Sequence, residues 1–593
     1  MRQHDSWKTW KTAALSAVII FLAVSFVGFY RWQDPTALHI KKYIKYNILH
    51  MLPRSSEGEI DGLEGRIRTA LYVEGKKTTD IDYDESKSME RAYWGRNRTR
   101  LYAYTEGYTM DFPPKTQFDV SRCASYITAV GDGFCFTVSL EHSPYMELTE
   151  EMTNGLDEYA PEFPYEDGVD QYIGFYQCRF LLNDRWQKNN SVIVTPVETF
   201  DACGHKGYVF HSVIDGVTSG EYDAYSYLFV RLEDQEFLRV IVKYDKANTE
   251  LRDSLTSLFD YFYLFEPVGE SLSLTDYAPV IPENWSEETD ELYHQICESE
   301  EIRWGIYVDD ISNTGIQNKV PELEEKLEYP FDVILTYVHA TQAFPKELME
   351  TCWENGKIVE LTYQLTENNN SDLTAHSIML DLYRGEGYDA VRNFAREARL
   401  FRHPFLLRLC NEMNSDWTSY GGINNMADPE LFVNVWRNIY EIFEEEQVDN
   451  CIWVFNPNDR NCPPSHWNEG CNYYPGNEYV QIYGITGYNN GTYYAKWAEE
   501  WREFDTIYDA IEEKSTPMFE RFPWMITEFA SSSIGGDKAA WITHMFEEID
   551  NYPNIKIAVW FSSADYDVDG TVARPYWLDE TPETLDAFRK GLH

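Results

Sequence analysis

Phe-Leu-Leu-Arg-Leu-Cys-Asn-Glu-Met-Asn-Ser-Asp-Trp, residues 405–417, is an apolar run of strand length that closes on a carboxylate, Glu412. Trp-Met-Ile-Thr-Glu-Phe-Ala, residues 524–530, repeats the arrangement with Glu528. Outward from these two, further strand-length apolar runs stand at 304–308, 333–339, 358–363, 451–456, 480–485 and 555–561. Helical patterns separate them, at 346–355, 387–400, 429–447, 493–513 and 536–550. Strands alternating with helices over about 300 residues predict an α/β fold with a parallel sheet, here a (β/α)₈ TIM barrel over 291–593. The two glutamates end strands four and seven. In such barrels the chemistry stands at the C-terminal ends of the strands, and carboxylates on strands four and seven can converge across the mouth.

Upstream the pattern changes. Residues 61–270 alternate short β-prone runs with turns, at 68–73, 99–104, 172–178, 191–197, 227–232 and 237–244. The last two read as a hairpin and 248–263 as a helix packed on its sheet. This predicts a β-rich (α+β) accessory domain, joined to the barrel by a linker rich in Pro, Ser and acids at 271–290. Residues 12–30 contain no charge and are long enough to cross a bilayer as a helix. Arg2, Lys8 and Lys11 precede them, which favours a cytoplasmic tail at 1–11. Tyr30-Arg31-Trp32 follows as an interface anchor rather than a cleavage site, so an N-terminal transmembrane helix with a stalk at 31–60 is expected, the rest lying outside the cytoplasm.

The formal net charge of −49 repels phosphate backbones and argues against a nucleic-acid partner. Phe, Trp and Tyr make up 16% of the chain, which serves large cores or stacking on sugar rings. Trp304, Tyr307, Trp417, Trp453, Tyr473 and Tyr474 divide between those uses. Of ten cysteines, Cys462 and Cys471 flank one loop and are the first pair to test for a disulfide, while Cys410 and Cys451 read as buried thiols. No Cys/His spacing indicates zinc. Asp565-Tyr-Asp567-Val-Asp569-Gly570 opens like a calcium loop but has Tyr576 where the closing glutamate belongs, so a solvated acidic loop is expected. No metal and no cofactor are expected.

Two carboxylates facing each other are what hydrolysis of a glycosidic bond requires, and at about 5 Å separation they give retention. One must rest protonated and the other ionised. Arg408, Cys410 and Glu412 share one strand face by alternation, and Arg408 can hold the nucleophile anionic. His339 ends the second strand at the mouth, where a substrate bond and a structural one are equally open.

With Arg408, Asn-Glu-Met-Asn (411–414), Trp417, Tyr-Tyr-Pro-Gly-Asn-Glu-Tyr-Val (473–480), Gly484, Tyr488, Thr-Glu-Phe-Ala (527–530) and Val-Trp-Phe (559–561) in this order, the barrel resembles glycoside hydrolase family 26. The resemblance covers roughly 300–590. It implies Glu412 as general acid/base and Glu528 as nucleophile. It places Tyr488 beside the nucleophile and Trp560 as the floor under the reacting sugar. One departure matters: mannanases of the family typically carry His before the acid/base, and here Asn411 stands there. In the wider clan that Asn holds the 2-hydroxyl of the sugar, which tilts the expectation from β-mannan toward a β-glucan. The resemblance implies a retaining endo-β-glycosidase acting on a β-linked polysaccharide; the segment 12–30 adds the expectation of a membrane anchor, which alone suggests work beside a membrane polysaccharide synthase. The alternatives are a β-mannanase of the same fold and an inactive glycan-binding protein.

Overall fold

Alternation along one strand shows how the barrel is built. In Ile358–Gln364, Ile358 packs in the barrel interior, while Val359, Leu361 and Tyr363 pack outward under the helices. The remaining members of the inner face are Glu360, Thr362 and Gln364, so the interior turns from apolar to polar toward the mouth. The computed structural model of the chain describes residues 91–593 except 95–96, 124, 144–162, 233–234, 268–276, 310–312, 368–371 and 498, plus the fragments Arg68–Thr69, Tyr72–Val73 and Lys76–Lys77. The expected transmembrane helix at 12–30 and the stalk lie outside the described residues. Among the described residues no helix is long and apolar enough to cross a membrane.

Eight parallel strands close on themselves: β1 (Arg303–Val308), β2 (Val333–His339), β3 (Ile358–Gln364), β4 (Phe405–Leu409), β5 (Cys451–Phe455), β6 (Ile482–Thr486), β7 (Trp524–Phe529) and β8 (Ile555–Ser562). β1 pairs with β8 from Arg303↔Ile557 to Val308↔Ser562, which seals the barrel. Leu335, Leu406, Ile452, Val454, Ile482, Met525, Ile557 and Val559 fill its interior. The helix Glu287–Glu298, capped by the Ser286 side chain on the Thr289 amide, contributes Leu292, Tyr293 and Ile296 to the same cluster. Part of the expected linker is therefore barrel structure.

The helix expected over 493–513 begins only at Phe504. Before it, side chains take the amides a helix would use: Asn489 Oδ1 accepts from the Arg502 amide at 3.0 Å and Glu499 from the Tyr494 amide at 3.2 Å.

By its contacts the chain divides into two compact units. One contains Glu85–Thr116 and Ser257–Glu270, and its described part is a sheet in the order Arg68–Thr69, Arg91–Trp94, Thr99–Ala103, Tyr108–Phe112, Tyr263–Leu264. Its buried Asp111 receives Arg100 at 2.6 Å.

The other unit holds Gln117–Thr256 together with the barrel. The β-rich region read from sequence is thus shared between the units. The sheet of the larger unit runs through Phe134–His142, Glu236–Tyr244, Ala224–Arg231 and His205–Ile214, and the expected hairpin is present with Arg231 opposite Phe237. The expected helix is short, Thr249–Ser254. The run 172–178, read as β-prone, is instead helical: Gly168–Tyr172 continues into a π turn, Ile173–Gln177. Asp167 caps the Val169 and Asp170 amides, and buried Asp170 accepts Tyr208 Oη at 2.7 Å and Arg231 at 3.2 Å. That tertiary anchor outweighs the strand propensity of Ile173, Phe175 and Tyr176.

The sheet packs on the segment that follows β4. Tyr227 Oη donates to Met426 O at 2.8 Å, and the Arg239 guanidinium donates to Ala427 O. Buried Lys243 meets Asp428 at 3.0 Å and Glu430 at 3.2 Å, with Arg122 on Glu430 at 3.1 Å. Glu141 accepts the amides of His466 and Trp467 after β5.

The expected pair Cys462 and Cys471 is not formed, and both remain thiols. Cys471 turns into the core beside Cys123 of the sheet, while Cys462 faces Asp416 and Arg460. Cys410 and Cys451 are buried thiols, as read.

Candidate active site

β4 ends at Leu409, and the chain then departs from strand geometry. Cys410 and Glu412 both have positive φ, 51° and 56°, a region L side chains adopt at a cost. Alternation therefore fails here. Cys410 packs outward instead of sharing a face with Arg408 and Glu412. The Glu412 amide donates to Asn456 O at 2.8 Å, which pins the turn to the end of β5.

Glu528 reaches the mouth through an irregularity of a different kind. Met525 faces the barrel interior and Ile526 the helices, so strict alternation would send Glu528 outward with Ile526. The register of β7 shifts against β8 between Ile526 and Phe529, and against β6 at Ile485/Thr486. This irregularity re-aims the carboxylate inward, while Phe529 packs outward on Trp560.

The two glutamates stand in contrasting surroundings. Glu528 Oε1 lies 2.6 Å from Arg408 Nη2, and Glu528 Oε2 accepts Tyr488 Oη at 2.9 Å. Asn411 Nδ2 stands 3.5 Å from Glu528 Oε1, and Tyr337 of β2 also hydrogen-bonds this carboxylate. Glu412 accepts Asn458 Nδ2 on Oε1 and Trp417 Nε1 on Oε2 at 3.1 Å. Burial first, and the charge of Glu528 second, push Glu412 up to about 7, with Asn458 and Trp417 opposing. Such a group keeps its proton in weak acid, up to about pH 7, while its neighbour is ringed by donors, the division of labour an acid and a nucleophile require.

Arg408 is fully buried. Its Nε donates to Thr362 Oγ1 at 2.7 Å and Nη1 to Asn456 Oδ1 at 3.3 Å. Asn411 is oriented by two donors on its Oδ1, Tyr420 Oη at 2.8 Å and Gln364 Nε2 at 3.0 Å. Its NH₂ group is thereby turned toward Glu528.

The structure thus brings together Glu412, Glu528, Arg408, Asn411, Trp417 and Tyr488. Trp417 is 43% exposed, so its ring is open at the mouth. His339 ends β2, and its ring meets Thr366 at 2.9 Å, in the loop after β3. Trp560 does not floor the site: it is fully buried on the outer side of β8, among Phe529, Trp541 and Phe588, donating Nε1 to Tyr576 O at 3.0 Å. Its neighbour takes the inward position. Phe561 stacks on Tyr307 at 4.6 Å and meets Tyr488 edge-on at 6.0 Å.

Of the other aromatics, Trp304, Trp453, Tyr473 and Tyr474 are core. Sequence reading missed Asn458, Tyr337, Tyr420, Gln364 and Glu360. The inward parity of β3 carried a signal for Glu360 and Gln364, but a loop residue such as Asn458 carries none. In the acidic loop, Asp565 pairs with Arg574 and Asp567 accepts Tyr493 Oη. Among the described residues no cluster of three or more His, Cys, Asp or Glu is placed to hold a metal.

Comparison with known proteins bears on this barrel directly. The model described as "Glycosyl hydrolase family 26" matches residues 357–523, a stretch that includes Arg408, Glu412 and Tyr488 and stops short of Glu528. Over that stretch the barrel is similar to glycosyl hydrolase family 26. A curated relative, Endoglucanase H of Acetivibrio thermocellus, is 26% identical over 281 residues, 46% of this chain and 29% of that protein. The chain therefore spans less than a third of that relative's length. Solved structures similar to the chain include GH26A from Muricauda sp. (19% identity, 48% of this chain and 90% of that one, TM-score 0.33). Another is the Cellulomonas fimi endo-beta-1,4-mannanase double mutant (14% identity, 53% and 76%, TM-score 0.41).

Proposed function

We propose that this protein is a retaining endo-β-glycosidase that hydrolyses a β-linked polysaccharide, a β-glucan in preference to a β-mannan. The observation that carries the reading is the pair of barrel carboxylates in opposite environments, Glu412 lifted to about 7 and Glu528 ion-paired to Arg408. In this reading Glu528 attacks the anomeric carbon while Glu412 gives its proton to the departing oxygen. Glu412 then takes a proton from the water that releases the sugar from Glu528. Arg408, by ion pairing, and Tyr488, by a hydrogen bond, hold the carboxylate oriented for attack.

The glucan preference rests on Asn411, whose NH₂ is turned to the nucleophile where a 2-hydroxyl would stand. The name of the relative, an endoglucanase, agrees with it. We further propose that the charge-free segment 12–30 tethers the barrel outside the cytoplasm, within reach of newly exported polymer and of a membrane synthase. Fractionation of cells expressing the full chain, with protease added from outside, tests the tether: a barrel released with the soluble contents, or shielded in intact cells, overturns it.

The activity is tested with the full chain on β-glucans, mannans and xylans, reading products by mass, with Glu528→Ala beside it. Cleavage of glucan that vanishes in the variant is expected. Binding without cleavage of any polymer would overturn the enzyme reading, and preferential cleavage of mannan would overturn the preference.

A further inference from the structure

Below the two glutamates of the mouth stands a third carboxylate, Glu360 of β3, fully buried. It and Glu528 flank one cation: Arg408 Nε is 3.1 Å from Glu360 Oε1, and Nη2 is 2.6 Å from Glu528 Oε1. Two ionised carboxylates around one guanidinium would leave an uncompensated negative charge in a nearly dry interior. Such a cluster sheds that charge by holding one proton.

The donors decide where the proton rests. Glu528 is served by Arg408, Tyr488, Asn411 and Tyr337. Among the described residues neither oxygen of Glu360 finds a hydrogen-bond donor, because the Nε hydrogen of Arg408 is directed at Thr362 Oγ1. Burial pushes Glu360 up to about 8, with Arg408 opposing and Glu528 adding to the rise. The charged groups that act on it are therefore Arg408 from β4 and Glu528 from β7. Tyr337 from β2 lies with its ring 5.4 Å from the guanidinium carbon.

We propose that Glu360 is a positioning residue that holds this proton, and that as a neutral carboxyl it leaves the charge of Arg408 to Glu528. One buried carboxylic acid kept protonated so that another can stay ionised is a known device of active sites. Its functional meaning rests on Glu528 being the nucleophile, but its test does not.

The test is infrared difference spectroscopy of the full chain at pH 6.5 in a Glu412→Gln background, which removes the other protonated carboxyl of the site. Adding Glu360→Gln is expected to delete the carbonyl stretch of one protonated carboxyl, with a melting temperature close to that of the parent, since Gln matches a neutral carboxyl in shape. Adding Glu528→Gln instead is expected to delete the same band, because Arg408 is then left with a single carboxylate and ionises it. A band that survives Glu360→Gln overturns the assignment. A band deleted by Glu360→Gln but kept in Glu528→Gln overturns the sharing, leaving burial alone as the cause. If Glu360→Gln does not fold, Glu360→Asp takes its place: a carboxyl band shifted in frequency supports the assignment, and an unmoved band overturns it. No substrate enters these measurements, so failure of the glycosidase reading would appear separately, on the polymer panel.

Discussion

At the scale of the residue, the site depends on what touches each carboxyl oxygen. In the proposed reaction Glu412 gives a proton and can do so only while protonated, so kcat/KM is expected to fall as pH rises through about 7. Asn458 and Trp417 favour its ionised form. Asn458→Ala should therefore move that alkaline limb to higher pH, and a limb that stays in place or moves down would show that another group sets it. Arg408→Met should lower kcat by roughly 10²–10³, the loss typical when a preorganised charge is removed, with little change in KM in steady-state assays. The positions of single residues were unevenly legible. Glu412, Glu528, Arg408 and Asn411 could be placed at the barrel mouth because each stands at or near a strand end within a recognisable run. Trp560 could not be placed, because neighbouring residues of a strand point to opposite faces and the sequence did not reveal which of Trp560 and Phe561 faced inward.

Elements were easier to read than single side chains, and their irregularities harder. The eight strands follow from apolar runs of strand length, which burial on both faces demands. Neither the departure after Leu409 nor the shifted register at Ile526–Phe529 can be inferred from such runs, since both are set by neighbouring strands. The same holds for 172–178, where a buried aspartate outside the run overrides its propensity. Gly484 of β6 shows how tightly neighbours constrain an element: a Cβ there would lie 2.8 Å from both Thr527 and Val454. Gly484→Ala is expected to cost about 1–3 kcal/mol by overpacking, seen as a lower denaturation midpoint. An unchanged midpoint would mean that β6 yields more than this geometry implies.

At the scale of the whole molecule, the sheet of residues 117–256 and the barrel behave as one unit. Sequence alone read that region as a separable accessory domain because its strand pattern differs from that of the barrel. The contacts that join them come from residues such as Lys243, whose partners Asp428 and Glu430 are nearly 190 positions away. Lys243→Met would leave buried Asp428 without its cation and Glu430 with Arg122 alone, and should cost about 3–5 kcal/mol, measured by denaturant unfolding. Burial alone would raise Glu430, but Lys243 and Arg122 outweigh it and hold it down to about 2. Its folded value lies below its unfolded one, so its contribution is complete above about pH 4.5 and is lost as pH falls toward about 2. Glu430→Gln should flatten the acid-induced loss of stability within that window, and an unaltered slope would assign the acid sensitivity elsewhere. The left-handed backbone at Glu412 has a bearing on laboratory evolution. Asn tolerates that conformation better and would remove a buried acid, so Glu412→Asn should gain about 1 kcal/mol of stability while abolishing turnover. A library screened for heat resistance alone would drift toward sturdy, inert barrels, and breeding a hardier enzyme from this chain requires turnover to be scored in every round.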